Sequence, residues 1–215
     1  MIALVRYRLA ELGHSQRYLP PVLLHIGLLA VFYSDDTGPA LPSYAVTAAA
    51  LAVVSAWLTI ALVDVEDVVQ RTVTRAHVGS VHRVLVGTVL TVLCCAGVLA
   101  VLTTAWSQVT SGFAHPPADL AIGLLGHVVC AAFGTAVALP CSGLVIRRVG
   151  YTAIAAAALL AIALLAEWLP LAHPLLLGLS TASTPPALLV QSTLTAAGLL
   201  VASTALVSAW VARRG

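Results

Sequence analysis

Lysine is absent from this 215-residue chain: all ten basic residues are arginine, and with eight acidic residues they make up only 8% of the sequence. A soluble globular domain carries about 25% charged and about 45–50% apolar residues. Here 60% of the residues are hydrophobic and the mean hydropathy is +1.04. So few charges cannot cover a surface that faces water, which excludes an ordinary cytosolic enzyme and makes a bilayer the solvent for most of the chain. A net charge of +2 leaves no electrostatic footprint for nucleic acid. Cysteine is scarce and unpatterned: Cys94, Cys95, Cys130 and Cys141 sit in apolar runs without C-x-x-C spacing. They make no disulfide framework and read as small buried hydrophobes.

Catalytic motifs are missing too. The chain has no G-x-x-x-x-G-K-[ST] loop, so it does not bind ATP in the P-loop manner, and no G-x-S-x-G elbow, H-E-x-x-H pair or Asp-rich metal motif. No residue is assigned a catalytic or metal-binding role, and no cofactor is expected in this chain.

Apolar stretches of about 20 residues are abundant. Six occur, at about 18–33, 41–63, 84–106, 120–146, 149–169 and 187–212, which predicts an all-α integral membrane protein without room for a separate soluble domain. The first is short and opened by Pro20 and Pro21; without an A-x-A-like cleavage site after it, it reads as an uncleaved helix. Every arginine falls on one side of these spans: Arg6, Arg8 and Arg17 before the first, Arg71, Arg75 and Arg83 after the second, Arg147 and Arg148 after the fourth, Arg213 and Arg214 at the end. Asp35, Asp36, Asp119 and Glu167 fall on the other. The positive-inside rule then puts both termini in the cytoplasm.

Two cytoplasmic pieces stand apart. In residues 1–16, Ile2, Val5, Leu9 and Leu12 recur at helical spacing, with Glu11 and His14 largely opposite and Arg6 and Arg8 on the flanks. This predicts a helix lying in the membrane interface, the alternative being a basic flank that only enforces orientation. In residues 64–83, Asp64, Glu66 and Asp67 suit a helix N-terminus, and Arg71 and Arg75 follow one turn apart. A charged helix over about 65–78 is expected, stopped by Gly79, with Ser80 capping the next helix through Arg83 into the third span. Such a rod suits docking to another protein; a solvated connector is the plainer reading. On the outer side, Pro170, Pro174, Pro185 and Pro186 interrupt an apolar segment, Leu175–Leu179, which predicts a re-entrant hairpin.

Within the spans, His25 and His127 fall at similar depth. They meet in a proton, haem or substrate site, or else each is separately bonded to carbonyls and hydroxyls. Pro140 frees the carbonyl of Ala136, for a packing kink or a hinge. Thr193, Thr204 and Ser208 share a face of the last span, and Gln191, Ser192 and Thr195 crowd its outer end, as helix glue or as a wet path. Ala153, Ala157 and Ala161 form a smooth stripe suited to a subunit seam.

This layout, with the run Thr74-Arg75-Ala76-His77-Val78-Gly79-Ser80-Val81-His82-Arg83-Val84-Leu85-Val86-Gly87-Thr88-Val89-Leu90, resembles the membrane subunits of type-2 ATP-binding-cassette exporters. The run looks like that family's exit from its coupling helix; Val78 and Thr88 stand where members commonly carry Pro and Lys. The resemblance implies a permease of the bacterial cytoplasmic membrane. Two such subunits, identical or homologous, would sit among membrane lipids on two separate ATPase subunits that bind ATP and Mg. Glu66, Gln70, Arg71 and Arg75 would form the docking contact, with Arg6, Arg8 and Glu11 along a second edge, and His25, His127, Gln191 and Thr195 would line the substrate path. The residues themselves leave open an intramembrane enzyme acting on a lipid or quinone, or a non-transporting assembly or immunity subunit. On the exporter reading, Arg71→Glu with Arg75→Glu is expected to release the ATPase from an intact bundle, measured by co-purification.

Overall fold

The computed structural model describes residues 1–34, 38–66, 68–145, 149–165 and 172–213. These residues form nine α-helices and no strand. In chain order they are α1 (Ile2–Ser15), α2 (Leu19–Phe32), α3 (Ala40–Val63), α4 (Val68–Val78), α5 (Val81–Thr110), α6 (Pro117–Cys141), α7 (Val149–Leu165), α8 (His173–Ser180) and α9 (Pro186–Ala212). Four of them, α3, α5, α6 and α9, are long and apolar enough to cross a membrane; α2 and α7 are apolar but shorter, at 14 and 17 residues. A helix is described within each stretch expected to be helical, with some ends moved and α7 described only to Leu165. Asp35, Asp36, Asp67, Arg147, Arg148, Glu167, Pro170 and Arg214 lie outside the described residues.

Two boundaries have clear local causes. Gly79 ends α4 in the left-handed region, at φ 75°, its N–H bonding the Arg75 carbonyl at 2.8 Å. Ser80 takes the N-cap position of α5 with extended backbone, but its hydroxyl makes no capping bond. α6 ends at Cys141 rather than near Ile146. Pro140 has no N–H to donate and its ring crowds the preceding turn, which weakens the last turn of α6.

The centre of the bundle is the crossing of α3 and α6. On α3, Ala48, Ala52 and Ala56 are buried; on α6, Gly123, Gly126 and Gly134 face the neighbouring helices. A Cβ at Gly134 would collide with the Ala52 backbone, and one at Gly123 with the Tyr44 ring. Helices this apolar gain little by exchanging lipid for protein, so close backbone approach and hydrogen bonds must hold them. The alanine stripe of α7 is not used here: Ala153, Ala157 and Ala161 are exposed, while Ala156, Leu160 and Ala163 pack inward.

α8 tucks into the same core from one end. Leu175 and Leu179 are fully buried beside Tyr44 and Ala48, and Leu179 lies over Gly126. The chain then reverses sharply: Ala182 takes φ 52°, and Ser183 N–H bonds the Gly178 carbonyl at 2.9 Å. This compact helix and turn bury Leu175 and Leu179 while Leu177 remains exposed.

Pro140 does free the Ala136 carbonyl, and Ser203 of α9 answers it, its hydroxyl donating at 2.8 Å. The hydroxyls of Thr193, Thr204 and Ser208 bond back to their own helix. The cross-helix tie thus lies one residue from Thr204. Ser203→Ala should cost about 1 kcal/mol by leaving that carbonyl unpaired in an apolar setting. Gly134→Leu should cost considerably more, because it forces α3 and α6 apart; denaturation in detergent followed by circular dichroism gives both values.

Candidate functional site

Seven described arginines gather at one end of the bundle. Arg6, Arg8 and Arg17 lie in or just after α1, Arg71 and Arg75 on α4, Arg83 at the start of α5, and Arg213 caps α9, whose Val207 and Val211 pack against Leu85 of α5. Asp119, in the first turn of α6, begins at the opposite end.

The arginine end is organised around a buried ion cluster. The Arg8 guanidinium donates to Glu11 Oε2 and to Glu66 Oε2, each at 3.0 Å. Arg8 and Glu66 are only 3% and 4% exposed. The other Glu66 oxygen accepts the Thr74 hydroxyl at 2.8 Å. Gln70 spans the same gap, its amide donating to Tyr7 Oη at 2.8 Å and to Glu11 Oε1 at 3.4 Å. Leu12 anchors α1 from below in a cluster with Leu58, Leu62 and Val92. A pair removed from water holds only with good geometry and saturated lone pairs, which Thr74 and Glu11 help to provide.

α4 is therefore fastened to α1, to the end of α3 and to α5. Arg71 donates to the carbonyls of Val63 and Glu66, at 2.9 and 3.3 Å. Of the acidic residues expected at the start of α4, Asp67 lies outside the described residues, and Asp64 and Glu66 bond other groups. Asp64 closes α3 and accepts the Gly143 N–H at 3.1 Å, tying that end to the turn after α6, while Arg17 donates to the Asp64 carbonyl at 3.0 Å. A carboxylate here bonds the nearest free amide, and the turn after α6 presents one.

Electrostatics follow from this crowding. Burial pushes the Glu11 carboxyl above its ordinary range, Glu66 adds to the rise, and Arg8 opposes it. Burial likewise raises Asp64 against the bond from Gly143 and the charges of Arg71 and Arg17. Folded Glu11 and Asp64 hold their protons more readily than in the unfolded chain, so both detract from stability as pH rises through their titrations. Burial and neighbouring Arg71 lower the Arg75 pKa, and Glu66 offsets part of this.

The outward face of α4 is not its charged one. Val69 and Val73 are 70% and 62% exposed and lie with Ala76 on the outer side, whereas Arg71, Thr74 and Arg75 turn toward the protein. Among the residues expected to dock, Gln70 and Arg6 remain exposed, while Arg8 and Glu66 are sequestered. Reversing Arg71 would set a carboxylate against two carbonyl oxygens, so that substitution disturbs the α4 anchorage together with any docking surface.

At the other end, His25 and His127 are both fully buried but bond to different partners. His25 Nε2 meets Thr103 Oγ1 at 3.0 Å, and Thr103 donates its own proton to the Leu99 carbonyl, so the imidazole is the donor. His127 must donate from Nδ1 to the Gly123 carbonyl at 2.6 Å, leaving Nε2 to face Thr47 Oγ1 at 3.0 Å. Tyr44 lies edge-on to His127, with ring centroids 5.7 Å apart, and bonds Ser107 at 3.2 Å. Thr195 bonds the Ser192 carbonyl of its own helix and Gln191 is exposed; neither hydrogen-bonds either histidine. The four residues expected to line a path therefore share no hydrogen-bond network among the described residues. No metal-holding group of three His, Cys, Asp or Glu occurs among them.

Comparison with protein-family models, curated proteins and solved structures finds no match to this chain in any of the three.

Arg8→Ala is expected to cost about 3–5 kcal/mol, because it leaves Glu66 charged, buried and unpaired. Arg8→Met combined with Glu66→Met should recover most of that loss. Denaturation midpoints of the single and double variants in micelles test the pairing.

Proposed function

We propose that this chain is the membrane-spanning subunit of an ATP-driven exporter, with α4 as the element that docks a separate ATPase. On this reading the apolar helices α2, α3, α5, α6, α7 and α9 make six spans, of which α2 and α7 are the shorter two. The arginine end is cytoplasmic, as the positive-inside rule requires, and both termini lie there. α1 lies in the interface and the α8 turn dips back from the outer side. A second copy or a homologous permease completes the path, and ATP and Mg belong to the partner.

One observation carries the reading: a short helix is braced from within by buried charge while its outer face presents exposed valines that no described residue covers. Rigid-body transmission needs such an element. Load applied to Val69 and Val73 reaches α1 through Arg8 and Glu66, α3 through Arg71, and α5 across the Gly79 turn. The docking contact is consequently apolar at its centre, with Gln70 and Arg6 at its rim, in keeping with how interfaces place charge.

Val69→Glu with Val73→Glu is expected to abolish recovery of a Walker-motif ATPase subunit with the tagged full-length chain, and its ATP hydrolysis, at unchanged thermal stability. The measurement is mass spectrometry and ATPase assay of complexes drawn from native membranes. Wild-type chain that brings down no such subunit, or that carries out turnover alone, overturns the proposal.

A further inference from the structure

A groove of about 780 Å³ opens between the first half of α1, α4 and the start of α5, and its lining includes Gln70 and Val73 of the face read above as the docking contact. Its aliphatic wall includes Ala3, Leu4 and Val78, and its polar wall includes His77 and Arg83. No aspartate or glutamate lines it. Arg83 and His77 are exposed, and Arg83 forms neither a hydrogen bond nor an ion pair with any described residue. Glu11 and Glu66 are both held by Arg8, and neither lines the groove.

The height of the groove is set by helix geometry. Leu4 of α1 sits on Gly87 of α5, where a Cβ would collide with it. Gly87 is four residues beyond Arg83, or about 6 Å farther along the helix axis. α1 thus lies about one turn deeper into the bundle than Arg83, and the groove runs from the arginine to the level of the interfacial helix. If α5 crosses the bilayer with its arginine end in the cytoplasm, that interval is where headgroup phosphates meet the first methylenes of the acyl chains.

We infer that this groove holds one anionic phospholipid of the cytoplasmic leaflet, its phosphate on Arg83 and His77 and its glycerol and first methylenes along Leu4 and Ala3. Charge complementarity selects the occupant, because a cationic wall without a carboxylate, beside an aliphatic one, matches an anionic amphiphile. A purely apolar peptide helix would leave Arg83 unpaired, and a soluble anion would leave the aliphatic wall bare. The bound lipid would fill the space between α1 and α4 and so stiffen the same platform that the ion cluster braces from the other side. The inference rests on the orientation adopted above but not on the ATPase, which takes no part in the test.

The test is native mass spectrometry of the full-length chain, delipidated in detergent and titrated with phosphatidylglycerol and phosphatidylcholine of identical acyl chains. Wild type should retain one phosphatidylglycerol per chain, preferred over phosphatidylcholine by about fivefold or more, the contribution of one arginine near an anionic surface. Arg83→Gln should abolish that preference, and Ala3→Trp should reduce retention of both lipids. Circular dichroism checks the fold of each variant, and Arg83→Gln, at an exposed unpaired position, decides the matter if Ala3→Trp does not fold. Equal retention of the two lipids by wild type, an unchanged preference in Arg83→Gln, or displacement by millimolar inorganic phosphate would each overturn the inference. A dimer that takes up no phosphatidylglycerol when titrated would overturn it as well.

Discussion

In a bilayer, helices as apolar as α3 and α6 would not hold together by hiding hydrocarbon, because the medium they would leave is hydrocarbon too. What remains is the closeness of backbones and the few bonds that side chains can make across a seam. The α3–α6 crossing takes the first route, with Gly134 directly over Ala52. The pairs Ser203 with Ala136, Thr103 with His25 and Thr47 with His127 take the second. Tyr44 belongs to both: Gly123 makes space for its ring, its edge meets His127, and its hydroxyl reaches Ser107. These contacts fix α2, α3, α5, α6 and α9 relative to one another and thereby set where the arginine end can be built.

Charge does at that end what small residues do in the bundle. Arg8 is deep enough that its two carboxylate partners are part of its solvation, and removing any of the three exposes the others to an environment that cannot stabilise them. The cluster turns Arg71 and Arg75 of α4 inward and leaves Val69 and Val73 exposed beside Gln70, Thr72 and His77. This arrangement has a use only if something else covers the valines, which is the physical basis of the docking reading.

Local features were readable from the chain and long-range ones were not. Gly79 marks its own conformation, and Pro140 announces a free carbonyl four residues back. The helical period of residues 1–15 is visible, yet its expected apolar stripe is only partly used: Leu12 is buried, while Ile2 and Leu9 are exposed to the surroundings. Periodicity offered no hint that Arg8 would go inward instead, since its partner Glu66 lies 58 positions away and only the fold brings them together. The same limit applies to Arg71, whose acceptors are carbonyls, a partner that no residue type advertises. Glycine spacing on α6, at Gly123, Gly126 and Gly134, was a legible sign of the tight seam that the commoner alanines obscured. Counting along the spans does not determine the azimuth of a side chain, and His25 and His127 each found a different threonine.

The bond from Ser203 to the Ala136 carbonyl makes two apparently separate geometric variables into one. The bend that Pro140 permits near the end of α6 cannot open or close without carrying α9 sideways or surrendering that bond. The turn after α6 is meanwhile pinned to α3 through Asp64 and Gly143. Any rocking of the bundle must therefore pass through α6 and α9 as a coupled pair, like two oars on a single lock, with α3 as the fixed gunwale.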